Sequence, residues 1–270
     1  MGKIVSVLAV FMAGEMLSLP FAPFPALFLI PLMKPLASSR VRERILAVLF
    51  IPCAAVTAAA SAARFAGLVG KASLPTAPFW VIAAVTLAVA LFLSAGGPEG
   101  VLKWAAFTLP FAIGFLLLAA LLLFQKFQIN GFAIPRVWEQ NPIIIACEGV
   151  TLLGLMPSLR YKEKPFRAYL AALAVSCGIG GAVWALGSLT LGAELFENAK
   201  YPFYTALRVA KGGEIVGRVE AFLVPLSLCA TVLKAAACML VIAHGVRAYI
   251  RPNSAAASKV SLPDAAAPER

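Results

Sequence analysis

Three charged residues of this sequence lie inside long apolar stretches. Lys234 is near the middle of one, and Glu148 and Glu15 lie in two others. An unpaired charge in the hydrocarbon core of a membrane costs a few kcal/mol or more, so such side chains usually face a partner or a cavity. Arg247 marks the end of the Lys234 stretch, about 20 Å away along a helix, which is too far for a lysine side chain to reach. We therefore expect Lys234 to face inward, with Glu15 or Glu148 as its counter-charge.

The stretch that carries Glu148 is short and is interrupted by glycine and proline. It runs from Pro142 to Leu159, and Gly149 follows the acid directly. Such a stretch is typical of a discontinuous helix that lines a site near the membrane midplane. Alternatively, Glu148 lies near a helix end and is simply hydrated. The candidate pocket residues are Glu15, Glu148, Gly149 and Lys234.

The amino-acid composition indicates the class of protein to which these residues belong. Of the 270 residues, 61% are apolar and only 13% are charged, whereas a soluble domain carries about 25% charged residues. This excludes a soluble enzyme, a disordered protein and a secreted disulfide scaffold. The apolar stretches are continuous rather than alternating, which favours membrane helices over a β-barrel.

Seven apolar stretches approach or exceed the length of about 20 residues that a membrane-spanning helix needs. They are Ile4–Ala22, Ile45–Phe65, Pro75–Ala95, Val101–Phe124, Pro142–Leu159, Phe166–Leu191 and Val219–Tyr249. Phe21–Met33 is also apolar but contains repeated prolines, so it is either a short eighth span or an interfacial segment. We predict an all-α polytopic membrane bundle of seven or eight helices in residues 1–251. A disordered cytoplasmic tail, rich in Ala, Ser and Pro, would occupy residues 252–270.

The net charge of +11 comes from basic residues between the apolar stretches. The densest clusters are at Lys34–Arg44, Arg160–Arg167 and Arg247–Arg251. The positive-inside rule then places these clusters and the C-terminus in the cytoplasm and the loop Gly192–Glu220 outside. The basic residues are not interleaved with stacking aromatics, so we expect a lipid bilayer and no nucleic acid as partner.

The sequence offers little for catalysis or metal binding. Its five cysteines all lie in apolar stretches without a CxxC pair, and His244 is the only histidine. These cysteines are best interpreted as small packing residues. We expect no enzyme activity, no metal and no cofactor.

The outer loop Gly192–Gly213 is too long for a simple turn and is rich in aromatic residues. It contains Phe196, Tyr201, Phe203 and Tyr204. Aromatic rings suit the membrane interface, so we expect an interfacial or re-entrant segment that covers the site. The alternative is an ordinary exposed loop.

Several short motifs follow one another in a definite order. Arg64 with Phe65-Ala66 ends the second apolar stretch, and Glu148-Gly149 lies in the fifth. Further on come Tyr201, Pro202, Arg208, Gly213, Glu214, Arg218, Glu220 and Lys234. In this order they resemble the signature of the spore germination receptor B-subunit family, within the amino acid–polyamine–organocation transporter superfamily.

The resemblance implies a LeuT-type helix bundle, truncated because the last two helices of the family have no match here. It implies a germinant receptor subunit in the bacterial cell or spore inner membrane. Such a subunit senses a small molecule, such as an amino acid, together with A-type and lipoprotein C-type subunits. In sodium-coupled relatives a cation bridges the first and eighth helices, and Lys234 could supply that charge. The alternatives are an amino acid or cation permease, and a structural subunit that binds no ligand.

Overall fold

The computed structural model describes residues 2–13, 40–72, 76–124, 127, 142–158, 165–199, 201–209 and 220–250. The regular elements of these ranges are all helices. They are α1 Gly2–Ala13, α2 Arg40–Ala72, α3 Phe79–Ala95, α4 Gly97–Leu123, α5 Pro142–Ser158, α6 Pro165–Leu191, α7 Ala193–Asn198, α8 Pro202–Val209 and α9 Glu220–Ile250. Glu15, Phe21–Met33, Glu214, Arg218 and the tail 252–270 lie outside the described residues.

The chain is an all-α polytopic membrane protein, as the composition predicts. A helix lies in the described part of each of the seven apolar stretches. The helices α2, α4, α6 and α9 are long and apolar enough to cross a membrane. Helix α3 is apolar but has 17 residues. The number of spans, seven or eight, and the LeuT-type arrangement remain predictions.

Helix α2 extends farther than its apolar stretch. The stretch ends at Phe65, whereas α2 continues to Ala72. The sequence from Thr57 onward is rich in alanine, the residue with the highest helix propensity, so the helix persists past the apolar segment. As a result, Arg64 lies inside the helix, about two turns before its end, rather than at its terminus.

Helix α9 is the central helix of the described bundle. It packs against α1, α2, α3, α4 and α5, and 72% of its most apolar window is buried, against 22% to 33% for the other three spanning candidates. Ala235, Ala236 and Ala237 are fully buried. Small side chains allow helices to approach closely in a membrane, where close packing drives association. Lys234 therefore lies in the packed interior and not at the lipid surface.

A glycine of α5 allows close helix approach, whereas two glycines of α6 face open space in the described structure. The glycine-rich part of α6 predicts close packing there. However, a methyl group built on Gly178 or Gly181 would meet no atom within 4 Å in the described structure. A methyl group on Gly154 of α5 would lie 2.9 Å from Val241 Cγ1 and 3.2 Å from Phe50 Cγ. Gly154 thus lets α5 pack tightly against both α9 and α2.

The segment after α6 folds into two short helices, α7 and α8. Gly192, with a φ of 76°, makes the turn between α6 and α7. Phe203, Ala206 and Leu207 of α8 are buried in a cluster with residues of α4, α6 and α9, whereas Arg208 is exposed. This one-sided burial fits the expected interfacial segment better than a freely exposed loop.

Candidate functional site

Two of the four candidate pocket residues meet in the interior. Lys234 Nζ of α9 lies 3.3 Å from Glu148 Oε1 of α5, and the two side chains are only 2% and 9% exposed. The ion pair agrees with the expectation that Lys234 faces inward towards an acid. Gly149 is buried beside Glu148, and a glycine there adds no side chain to the crowded surroundings. Glu15, the other candidate counter-charge, lies outside the described residues.

Arg64 of α2 also reaches this acid. Its Nη1 lies 3.6 Å from the same Oε1 atom of Glu148, and its side chain is 30% exposed. From the sequence alone, Arg64 is placed only in a family motif, and its contact with Glu148 is not predicted. A signal was present, because Thr57, Ser61 and Arg64 recur at the spacing that places residues on one face of a helix. A polar stripe through an otherwise apolar helix indicates a polar neighbour.

An aromatic ring forms another wall of this centre. Lys234 Nζ lies 5.2 Å from the centroid of the Phe11 ring of α1, and Phe11 is buried. An ammonium group within about 6 Å of a ring centroid is attracted to the ring face. The Lys234 side chain thus contacts both α1 and α5. Below, Arg64, Glu148, Lys234 and Phe11 are called the charged centre.

Hydroxyl groups hold α2 and α5 together beside the charged centre. Thr57 Oγ1 and Thr151 Oγ1 lie 3.3 Å apart. Each hydroxyl also lies near the carbonyl oxygen four residues earlier, at 2.8 Å and 2.7 Å. Because a hydroxyl has a single proton, one threonine donates to the other across the helix contact while the other donates to its own carbonyl. Ser61 donates to the carbonyl of Thr57 at 2.9 Å. Hydrogen bonds between membrane helices contribute about 0.6 kcal/mol on average. They set how the two helices face each other more than they stabilise the bundle.

A serine of α6 holds α1 in place. Ser176 Oγ is fully buried and lies 3.0 Å from the carbonyl oxygen of Ala9 and 2.8 Å from that of Ala172. The hydroxyl proton is therefore shared between one acceptor on α1 and one on its own helix. Because Ala9 is two residues before Phe11, this contact helps to fix the ring beside Lys234.

Tyr201, directly before α8, covers the end of α2 near Arg64. A methyl group built on Gly67 would lie 2.8 Å from Tyr201 Oη, and Lys71 Nζ lies 5.9 Å from the centroid of the Tyr201 ring. Burial raises the pKa of the Tyr201 phenol above its usual value. Gly67 is three residues after Arg64, which places Tyr201 about one helical turn from the charged centre.

The remaining motif residues are more dispersed. Pro202 begins α8, where its fixed φ suits the first helical turn, and Arg208 is exposed at the other end of this helix. Glu220 begins α9. Glu214 and Arg218 lie outside the described residues. Among the described motif residues, the structure therefore brings only Arg64 to Glu148 and Lys234, while Tyr201 lies nearby.

The charged centre presents both acidic and basic groups to a small charged molecule. Glu148 lies between two cationic side chains, Lys234 and Arg64. It could accept hydrogen bonds from the ammonium group of a ligand, and either cation could instead bind the carboxylate of a ligand. A small charged molecule could therefore replace one of the existing ion pairs. Within the described ranges, no group of three or more His, Cys, Asp or Glu residues is placed to hold a metal ion.

The chain matches a model of a known protein family. The family model described as spore germination protein, a family of spore permeases, matches residues 29–256. This range includes α2 to α9 and hence Arg64, Glu148 and Lys234. A comparison with curated proteins gives no match.

Proposed function

The chain belongs to the spore germination protein family, and on this premise we propose that it is the membrane subunit of a spore germinant receptor. It senses a small molecule, such as an amino acid, at the charged centre. The observation that carries the proposal is the position of Glu148, buried between Lys234 and Arg64 at the meeting point of three helices.

The charged centre offers both kinds of contact that a free amino acid requires. Arg64 has five N–H donors in a fixed plane, so it can bind a carboxylate while it remains near Glu148. The Glu148 carboxylate can accept hydrogen bonds from an ammonium group. A ligand shifts a conformational equilibrium only as far as its affinity differs between the two states. A zwitterion that separates Glu148 from one of its cations would meet this condition, because the three charges belong to different helices.

The α7–α8 segment acts as a cover over this centre. Tyr201 lies over Gly67 at the end of α2, and α8 is anchored by its buried face. Movement of α2 or α9 on ligand binding would therefore be transmitted to the segment. Partner subunits of the A type and the lipoprotein C type would detect this change in the spore inner membrane.

The proposal is tested by Glu148→Gln in spores that carry the variant in place of the wild-type chain. Germination is measured as loss of refractility against amino acid concentration, and the amount of chain is measured by immunoblot. Glu148→Gln keeps the shape but removes the charge, so we expect at least a tenfold higher ligand requirement at normal abundance. Glu99→Gln is the matched control, because Glu99 is exposed at the start of α4. An unchanged ligand requirement at normal abundance would contradict the proposal.

A permease would give a different result. If the purified chain alone catalyses uptake of a labelled amino acid into proteoliposomes, and spores respond normally to germinants without it, transport replaces sensing as the function. If spores need the chain but Glu148→Gln changes neither response nor uptake, it is a structural subunit that binds no ligand.

A further inference from the structure

One buried hydroxyl on α9 has no role in the packing described above. Ser227 is only 6% exposed, and its Oγ has no hydrogen-bond partner in the part of the chain that the structure describes. Leaving a buried hydroxyl unsatisfied costs about 1 to 3 kcal/mol. Such groups are uncommon in native proteins, and each one calls for an explanation such as a bound molecule.

Ser227 lies on the same face of α9 as Lys234. Ser227, Thr231 and Lys234 are four and then three residues apart, the spacing that aligns side chains on a helix. All three are buried. Thr231 differs from Ser227 because its hydroxyl donates to the Ser227 carbonyl at 2.7 Å. The two ends of this stripe are about 10 Å apart along the helix axis.

Helix α5 begins at about the level of Ser227. Glu148 contacts Lys234, and Gly154 packs against Val241, so α5 and α9 run in the same direction along this face. The first residue of α5 lies six positions before Glu148. Because Glu148 is level with Lys234, the start of α5 is level with a point nearly two turns before Lys234 on α9, close to Ser227. The N-terminal end of a helix dipole is positive, so this level favours an oxygen acceptor.

We propose that Ser227 is a second contact for the sensed molecule, which binds with its charged end at the charged centre and a hydrogen-bonding group at Ser227. This inference rests on the proposed function and narrows its ligand class. A short amino acid with an apolar side chain cannot reach both places, which are two helical turns apart. An amino acid whose side chain ends in an amide has the required length and polarity. Its carbonyl oxygen accepts the hydrogen bond from Ser227, and this contact removes the penalty of the unsatisfied hydroxyl.

The test compares binding and stability in the purified full chain in lipid nanodiscs. Affinities for L-glutamine, L-asparagine and L-norleucine are measured by calorimetry for the wild type and for Ser227→Ala. We expect the wild type to bind an amide-bearing amino acid more tightly than norleucine. Ser227→Ala should weaken amide binding about three- to tenfold, the equivalent of one hydrogen bond, and leave norleucine binding unchanged. Its unfolding temperature should be unchanged or raised, because the lost hydroxyl had no partner.

Ser176→Ala is the matched control, since that buried hydroxyl has acceptors on two helices. It should lower the unfolding temperature and leave the ratio of amide to norleucine affinities unchanged. If Ser227→Ala instead behaves like Ser176→Ala, or weakens both classes of ligand equally, Ser227 is structural and only this inference fails. The same holds if the wild type binds norleucine as tightly as the amides. If the wild type binds none of the three amino acids, the proposed ligand class fails as well.

Discussion

Lys234 Nζ lies 3.3 Å from Glu148 Oε1, and this contact joins α9 to α5 in the packed interior of the bundle. A buried ion pair is weak evidence for stability, because removing two charges from water costs about as much as their attraction returns. The pair is also sensitive to a third charge, since Arg64 shares the same oxygen atom. On the proposed function, this arrangement serves to respond to a charged ligand more than to stabilise the fold.

The first prediction concerns the tight packing of α5. Gly154→Ala places a methyl group 2.9 Å from Val241 Cγ1 and 3.2 Å from Phe50 Cγ. Extra volume in a packed core costs about 1 to 3 kcal/mol, so the unfolding temperature in nanodiscs should fall. The displacement of α5 by the added methyl group should also move Glu148, which is six residues earlier on the same helix. We therefore expect a weaker response to ligand.

Two further variants separate packing from a general effect of alanine. Gly114→Ala is the control, because a methyl group there meets no atom of the described structure within 4 Å. Its unfolding temperature should equal or exceed that of the wild type, because alanine favours a helix more than glycine does. Adding Val241→Ala to Gly154→Ala should recover part of the loss. If Gly154→Ala is as stable as the wild type, α5 does not pack against α9 in the way described.

The second prediction concerns the contact between Gly67 and Tyr201. Gly67→Ala should displace the phenol, because its methyl group would lie 2.8 Å from Tyr201 Oη. Displacement should expose the start of α8, and external trypsin should then cut faster at Lys200. Tyr201→Phe removes the hydroxyl and should restore slow cutting in the double variant. Equal cutting rates in all variants would indicate that the segment does not cover the end of α2.

The third prediction concerns orientation in the membrane. The basic clusters predict a cytoplasmic C-terminus and an outer α7–α8 segment. After replacement of the five native cysteines, a cysteine at Asn198 should react with an impermeant thiol reagent in intact cells. Cysteines at Ser39 and Ser254 should react only after the membrane is permeabilised. Labelling of Ser39 without Asn198 in intact cells would mean that the topology is inverted.

Much of the fold is predictable from sequence because it depends on local properties. Continuous apolar stretches of sufficient length predict membrane helices. In the part of each of the seven stretches that the structure describes, a helix is present. The inward orientation of Lys234 follows from the cost of a charge in lipid. The pairing with Glu148 follows only in part, because Glu15, whose depth in the membrane the sequence does not fix, is a second candidate on sequence grounds.

The rest of the charged centre depends on how four helices cross, which no local pattern specifies. The apolar stretch that contains Arg64 ends at the next residue, so the arginine suggests an interfacial anchor. Only the longer helix α2 and its crossing with α5 bring it to Glu148. Phe11 has no signal at all, since an apolar residue in an apolar helix is expected everywhere. The alignment of Ser227, Thr231 and Lys234 on one face of α9 can be predicted from their spacing in the sequence. That the Ser227 hydroxyl lacks a hydrogen-bond partner among the described residues cannot.

The last prediction concerns Lys234. Lys234→Ala leaves Glu148 buried with one cation fewer, and breaking a buried ion pair costs about 3 to 5 kcal/mol. It also removes the contact with the Phe11 ring, which joins α9 to α1. We expect less folded chain in the membrane and no germinant response. Lys234→Arg should rescue only in part, because the planar guanidinium is larger than the ammonium group that is packed there.

Lys103→Ala serves as the control, because Lys103 is exposed near the start of α4, and it should leave abundance and response unchanged. The same measurements test the proposal that the Lys234 ammonium supplies the charge that a bound cation supplies in sodium-coupled relatives. On that proposal the wild-type chain needs no added sodium, and Lys234→Ala fails even when its abundance is restored by higher expression. A buried charge that joins three helices should not be removable without consequence, so normal abundance and normal response in Lys234→Ala would contradict this proposal and leave Lys234 as a tolerated polar residue.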